Sequence, residues 1–157
     1  YVQEKTLEIQ PYLDKIFKVH GERHPELLKI KEEFNASACE LAAHMKKEEL
    51  ILFPFIRKMT KAKLENTKVD AAHFGTVKNP IQMMMNEHTV EGNRFRKIEE
   101  LSNNYTPPLH ACNTYRVSFA LLKEFEQDLH LHIHLENNIL FPRAIEIEKE
   151  LIQNLNA

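Results

Sequence analysis

The chain has 157 residues, 43% hydrophobic and 28% charged, with a net charge of −2, the composition of one soluble globular domain with its own core. That charge carries no basic excess, so neither nucleic acid nor an anionic membrane surface is an expected partner. No apolar run approaches the roughly 18 residues of a membrane span, and no secretory leader is read at the start. Three glycines and no tryptophan argue against a glycine-rich nucleotide loop or a many-turned β fold. Two distant cysteines, Cys39 and Cys112, fit a reducing cytoplasm better than a disulfide framework. The start at Tyr1 suggests a trimmed chain.

Val2, Ile9, Leu13, Ile16 and Phe17 recur at helical spacing and predict a first helix ending near His20-Gly21, interrupted and kinked at Pro11. Pro25 suits the first turn of a second helix, which runs through Leu28, Phe34, Leu41 and His44 until Pro54 bends or ends it. Residues 60–79 are polar and irregular and predict a long connection. A third helix follows Pro80, carrying Met84, Met85, His88, Phe95 and Ile98. The turn-rich SNNYTPP (102–108) separates it from a fourth helix spanning about Leu109 to Leu151. No segment alternates as a strand would, so the expected fold is all-α, an antiparallel four-helix bundle with a long connection between helices 2 and 3.

Nine histidines are the unusual count. HMKKEELILFP begins at His44 and HIHLENNILFP at His132, each with a glutamate four residues on and then Leu-Phe-Pro. A helix returns to one face at i+3, i+4 and i+7. The series Phe34, Ser37, Leu41, His44, Glu48, Leu52, Phe55 is apolar except near its middle, and so is Leu122, Phe125, Leu129, His132, Glu136, Ile139, Arg143. In the third helix Met84 or Met85, His88, Gly92 and Phe95 place one histidine inside. Two His/Glu pairs and His88 should therefore face one axis. Burying a carboxylate costs several kcal/mol unless it is paired, and two together cost more; a cation between them removes the difficulty.

His130 and His134 form a competing i, i+4 pair, but their face continues as Lys123, Gln127 and Asn137 and is expected at the rim or outside. His20 closes the first helix, roughly 29 Å along the bundle from His44 at about 1.5 Å per residue, and should close the hairpin with Gly21 and His24-Pro25 rather than bind a shared metal. His73 and His110 fall in loops. Cys39 reads as a small packing residue, and Cys112 as partly exposed near a helix start. The three methionines from Met83 to Met85 read as core and gap-filling residues. A first-helix residue level with His44 falls before Tyr1.

Imidazole and carboxylate without thiolate suit iron, zinc or manganese. Five donors exceed a closed zinc site, so two metals sharing the glutamates is the better count. HMKKEELILFP, NEHTVEG around His88 and HIHLENNILFP resemble the hemerythrin-like di-iron proteins. With VHGERHPEL (19–27) and NNYTPPLHAC (103–112), the whole chain is similar to the iron–sulfur cluster repair family, the Repair of Iron Centers proteins. The resemblance implies two non-haem iron ions with room for an oxo bridge. It makes His44, His88 and His132 terminal ligands and has Glu48 and Glu136 bridge the irons. It implies one hemerythrin-like domain over residues 1–157, with the start of the first helix and any amino-terminal domain lying outside this sequence. It further implies cytoplasmic repair of clusters damaged by oxidants or nitric oxide, with damaged iron–sulfur proteins as partners, oxygen or nitric oxide as a small diatomic ligand, and a homodimer left open. Whether turnover occurs is also left open: the alternatives are a hemerythrin-like module that holds or senses a diatomic gas, or a helical bundle with an incidental metal.

Overall fold

The computed structural model describes residues 2–155; Tyr1, beside the level expected for a first-helix ligand, lies outside them. The fold is all-α, an antiparallel four-helix bundle whose runs are interrupted twice by π-turns. The first run is α1 (Val2–His20), unbroken through Pro11. The second is α2 (Glu26–Lys47), a π-turn (Glu48–Leu52) and α3 (Phe53–Glu65). The third is α4 (Lys78–Leu101), and the fourth is α5 (Asn113–Leu135), a second π-turn (Glu136–Leu140) and α6 (Phe141–Leu155). Among the described residues there is no strand, only an isolated bridge between Ala72 and Gly75.

The chain forms two compact units. One takes the chain up to Ala42 together with Thr89–Leu131, and so contains α1, most of α2, most of α4 and most of α5. Ile9, Leu13 and Ile16 of α1 are buried with Leu27, Ile30 and Phe34 of α2. Phe34, Phe95 of α4 and Phe125 of α5 form an aromatic cluster with centroids 5.5 to 6.5 Å apart, a spacing at which edge-to-face contacts stabilise beyond simple burial. The interior face of α4 differs from expectation. Glu91, not Gly92, is fully buried; Ser37 Oγ donates to its Oε2 at 2.5 Å and Arg94 Nε to its Oε1 at 3.2 Å. A carboxylate can occupy that face only because these donors accompany it.

At the close of α1, His24 N–H returns to the His20 carbonyl, and His20 Nε2 lies 3.2 Å from Cys112 Sγ. His20 and His24 both present their rings edge-on to Tyr115. His20 thus belongs to the hairpin, as its position in the sequence suggests. Cys39, expected to pack, is exposed, because its position on α2 lies off the apolar stripe; Cys112 is exposed as well.

The second unit comprises Ala43–His88 with the chain from His132. Its core joins Leu52, Ile56 and Met59 to Val77, Ile81 and Met84 and to Phe141, Ala144 and Ile147. Of the three consecutive methionines only Met84 is fully buried; Met83 is exposed and Met85 half-buried.

Pro54 does not end its helix. A proline inside a helix loses its i→i−4 bond and its ring meets the carbonyl four residues back. The π-turn just before it makes the wider bond instead, from Phe53 N–H to the Glu48 carbonyl, and α3 continues. Phe141 N–H and the Glu136 carbonyl repeat this before Pro142. The extra residue shifts the buried face of the fourth run: Ile139 and Arg143, expected inside, are exposed, while Phe141, Ala144 and Ile147 are buried.

The connection between the second and third runs is shorter than expected, residues 66–77 rather than 60–79. Met59 and Ala62 keep the helical stripe through Glu65, and the left-handed Asn66 (φ 52°) then ends the helix. Glu148 anchors the far end by accepting from Val77 N–H and the Thr76 hydroxyl. The fourth run begins at Asn113, later than Leu109. The turn before it is held by three successive left-handed residues, Asn103, Asn104 and Tyr105.

Two outcomes test this packing. A Cβ on Gly21 would stand 2.5 Å from the Phe17 carbonyl oxygen and 2.8 Å from its ring, so Gly21→Ala should destabilise the chain by about 1–3 kcal/mol, read as a lower urea midpoint. Burial, opposed by Ser37 and Arg94 and reinforced by Glu40, holds Glu91 above the ordinary carboxylate value. The folded chain therefore binds this proton more tightly than the unfolded one. Glu91 favours the fold below that raised value, and the contribution is lost as pH rises through it. The stability of the wild type minus that of Glu91→Gln should fall over this interval, and parallel stability–pH curves would contradict the assignment.

Candidate metal centre

The second unit collects His44, Glu48, His88, His132 and Glu136 at one place. One donor atom from each lies within 4.8 Å of all the others. His44 and Glu48 share a face by their i, i+4 spacing, as do His132 and Glu136, and α4 supplies His88. All five residues expected from the sequence are brought together; His20, His73, His110, His130 and His134 are not among them. His130 and His134 are exposed. Among the described residues α1 adds no donor to the cluster.

His44, Glu48, His88 and Glu136 are buried, and the His132 side chain is 34% exposed. The Nε2 atoms of His44 and His88 face each other at 3.1 Å. His44 Nε2 lies 3.1 Å from Glu48 Oε1, and both His88 Nε2 and His132 Nε2 lie 3.2 Å from Glu136 Oε2. Phe141 stacks parallel to His88, 6° between planes and 5.9 Å between centroids.

Two supporting residues were not found by reading the sequence. Glu87 Oε2 lies 2.7 Å from His44 Nδ1 and is also paired with Lys47. Asn137 Oδ1 lies 2.8 Å from His88 Nδ1. Each is the chain neighbour of a cluster residue, so the 3.6-residue period assigns it to another face. The available signal was adjacency to His88 and Glu136. With their Nδ1 atoms engaged, His44 and His88 present Nε2 to the centre, the arrangement by which outer partners orient metal-binding imidazoles.

Both oxygens of Glu48, Oε2 of Glu136 and Nε2 of His132 are buried without an aligned hydrogen bond, although imidazole nitrogens stand 3.1–3.2 Å from Glu48 Oε1 and Glu136 Oε2. Orphaned buried polar atoms are costly and rare in native structures, and four of them at one point define a place for a cation. The electrostatics agree. Burial pushes the Glu48 carboxyl up, with Glu136 adding to the effect and His44 opposing it. Burial works against charge on Glu136 too, but His132 and His88 outweigh it and hold that carboxyl at about 2. Two buried carboxyls thus divide, one favouring its proton and one its charge. His44 is raised against burial by Glu48 and Glu87, and His132 is raised mainly by Glu136 against burial.

Nitrogen-rich donors with two carboxylates, set inside a helical bundle, define a cation-binding protein of the carboxylate–histidine class. The chain belongs to the hemerythrin HHE cation-binding domain family, which matches residues 2–144. It is 37% identical over 146 residues to the iron-sulfur cluster repair protein YtfE of Yersinia pseudotuberculosis serotype IB (strain PB1/+), covering 93% of this chain and 60% of that one. The same identity and coverage hold for YtfE of Yersinia pestis (strain Pestoides F). The chain therefore spans 60% of the length of these relatives. The five-residue cluster fits a non-haem di-iron centre. No described helix is long and apolar enough to cross a membrane.

Replacing Glu48 or Glu136 with Leu should abolish binding of two irons while far-ultraviolet circular dichroism keeps the helical signal, since an apolar side chain suits the buried position. In the metal-free chain Glu48→Leu should be at least as stable as the wild type, because it removes two orphaned oxygens. Two irons retained by both variants would defeat the assignment.

Proposed function

We propose that the whole chain, residues 1–157, is the di-iron domain of a protein that repairs iron–sulfur clusters damaged by oxidative or nitrosative stress in the cytoplasm. In this reading His44, His88 and His132 would hold the irons as terminal ligands, and Glu48 and Glu136 would be the carboxylates shared between them. The observation that carries it is the convergence on one point of four buried polar atoms without an aligned hydrogen bond. The repair role rests on the name of the Yersinia relatives. When bound, an iron pair supplies one-electron redox chemistry and open positions for a small ligand. The protein's own part is to hold these donors in place. Glu87 and Asn137 orient two imidazoles from behind, Phe141 supports the His88 ring, and the buried carboxylates neutralise metal charge that the surrounding apolar side chains cannot.

A second reading is favoured by the partial exposure of His132, at 34%. A donor that borders solvent leaves a route for oxygen or nitric oxide, and the domain would then hold or sense the gas without turnover. The partners differ accordingly: a damaged iron–sulfur protein in the first reading, a diatomic molecule alone in the second. Loading the chain with radioactive iron and mixing it with an iron–sulfur protein bleached by nitric oxide or peroxide separates them. Repair predicts label in the client and return of its cluster absorbance. Gas binding with no label transferred and no cluster restored would support the second reading and reject the first.

A further inference from the structure

Glu136 and Asn137 are consecutive residues, yet they address the two nitrogens of one ring. Glu136 Oε2 lies 3.2 Å from His88 Nε2, and Asn137 Oδ1 lies 2.8 Å from His88 Nδ1. Successive side chains on an α-helix diverge by about 100°, which disfavours a joint grip on a single imidazole. These two open the second π-turn, where the i→i+5 winding spreads a turn over more residues and brings successive directions closer together. The first π-turn does not do this: Glu48 faces the cluster, Glu49 is exposed, and the Nδ1 of His44 is held instead by Glu87 from α4. The two imidazoles that face each other through Nε2 are thus backed differently, His44 by a carboxylate and His88 by a neutral amide.

We propose that Asn137 is a positioning residue for the metal centre, resting on the di-iron reading above. Its amide oxygen has no proton to give. The nitrogen it faces on His88 is therefore the N–H, and the lone pair of Nε2 points at the metal. Its neutrality also has a consequence: an imidazole backed by an amide is a weaker donor than one backed by a carboxylate. The two imidazoles are therefore electronically unequal as donors to the metal centre, and residue 137 sets the size of the difference.

Iron-loaded wild type, Asn137→Leu and Asn137→Asp chains test this through iron content, rate of loss to a chelator and reduction potential, with circular dichroism as a control on folding. Asn137→Leu, which leaves Nδ1 without an acceptor, should weaken iron retention about 10–100-fold. Asn137→Asp keeps an acceptor, should retain iron close to wild type, and should lower the reduction potential by making His88 a stronger donor. Equal retention by Asn137→Leu and wild type, or equal loss by both variants, would overturn the proposal. So would an unchanged potential in Asn137→Asp. A folded wild type that takes up no iron would reject the metal-centre reading itself, which separates the two failures.

Discussion

Glu48 and Glu136 are the constraint around which the second unit is arranged. Two carboxyl groups in a low-dielectric interior repel each other and lose hydration, and neither loss is recovered by hydrogen bonds, since three of their four oxygens lack an aligned one. The three imidazoles around them supply only part of the compensation, enough to hold Glu136 charged at about 2 while Glu48 is pushed the other way. The interior is therefore unbalanced by itself, and its donors are spaced for a positive charge that belongs between them. Glu91, in the first unit, shows a buried carboxyl whose oxygens do have donors: a hydroxyl on one and a guanidinium on the other.

The π-turns follow from placing such residues on a helix that must stay apolar elsewhere. Glu48 and Glu136 each begin a π-turn, and the backbone carbonyl of each accepts the widened bond from the phenylalanine of Leu-Phe-Pro. The same residue thus commits its side chain to the centre and its carbonyl to the change of winding. The proline one position later cannot donate and needs space near its ring, and the wide turn suits both needs. In the second half the phenylalanine also stacks on His88, so the apolar tail of the motif supports a residue of the polar cluster.

The helical runs, the two His/Glu pairs and His88 were legible because they obey one period, and burial enforces that period. The interior series of the second run held from Phe34 to Glu48, where no extra residue intervenes, and at Leu52; its last member, Phe55, lies beyond the first π-turn and is only half-buried, with Ile56 taking the interior place. Beyond Glu136 the same rule named Ile139 and Arg143, because a π-turn leaves no mark in residue spacing beyond the proline that follows it. Gly92 was named at four residues beyond His88, whereas the buried residue is Glu91 at three; helical spacing admits both. The partners of Glu91, Ser37 and Arg94, become visible only once α2 and α4 are packed. Glu87 and Asn137 escaped for a related reason: they act behind the ligand face, and periodicity describes only that face. The left-handed run at Asn103, Asn104 and Tyr105 was marked as a turn by its residue types, although nothing in them required a tyrosine at positive φ.

Each π-turn behaves as a dislocation in a periodic rod. It changes which residues face inward partway along the helix while the backbone ladder continues. One extra residue, absorbed within five, lets the fourth run carry an apolar stripe in one phase up to Leu129 and in another from Phe141 onward. The slip falls where the donors stand. Substitutions can therefore tune the stripe beyond it, at Ala144 and Ile147, without rotating Glu136 out of the cluster, while Phe141, whose N–H closes the wide turn and whose ring stacks on His88, stays tied to the centre.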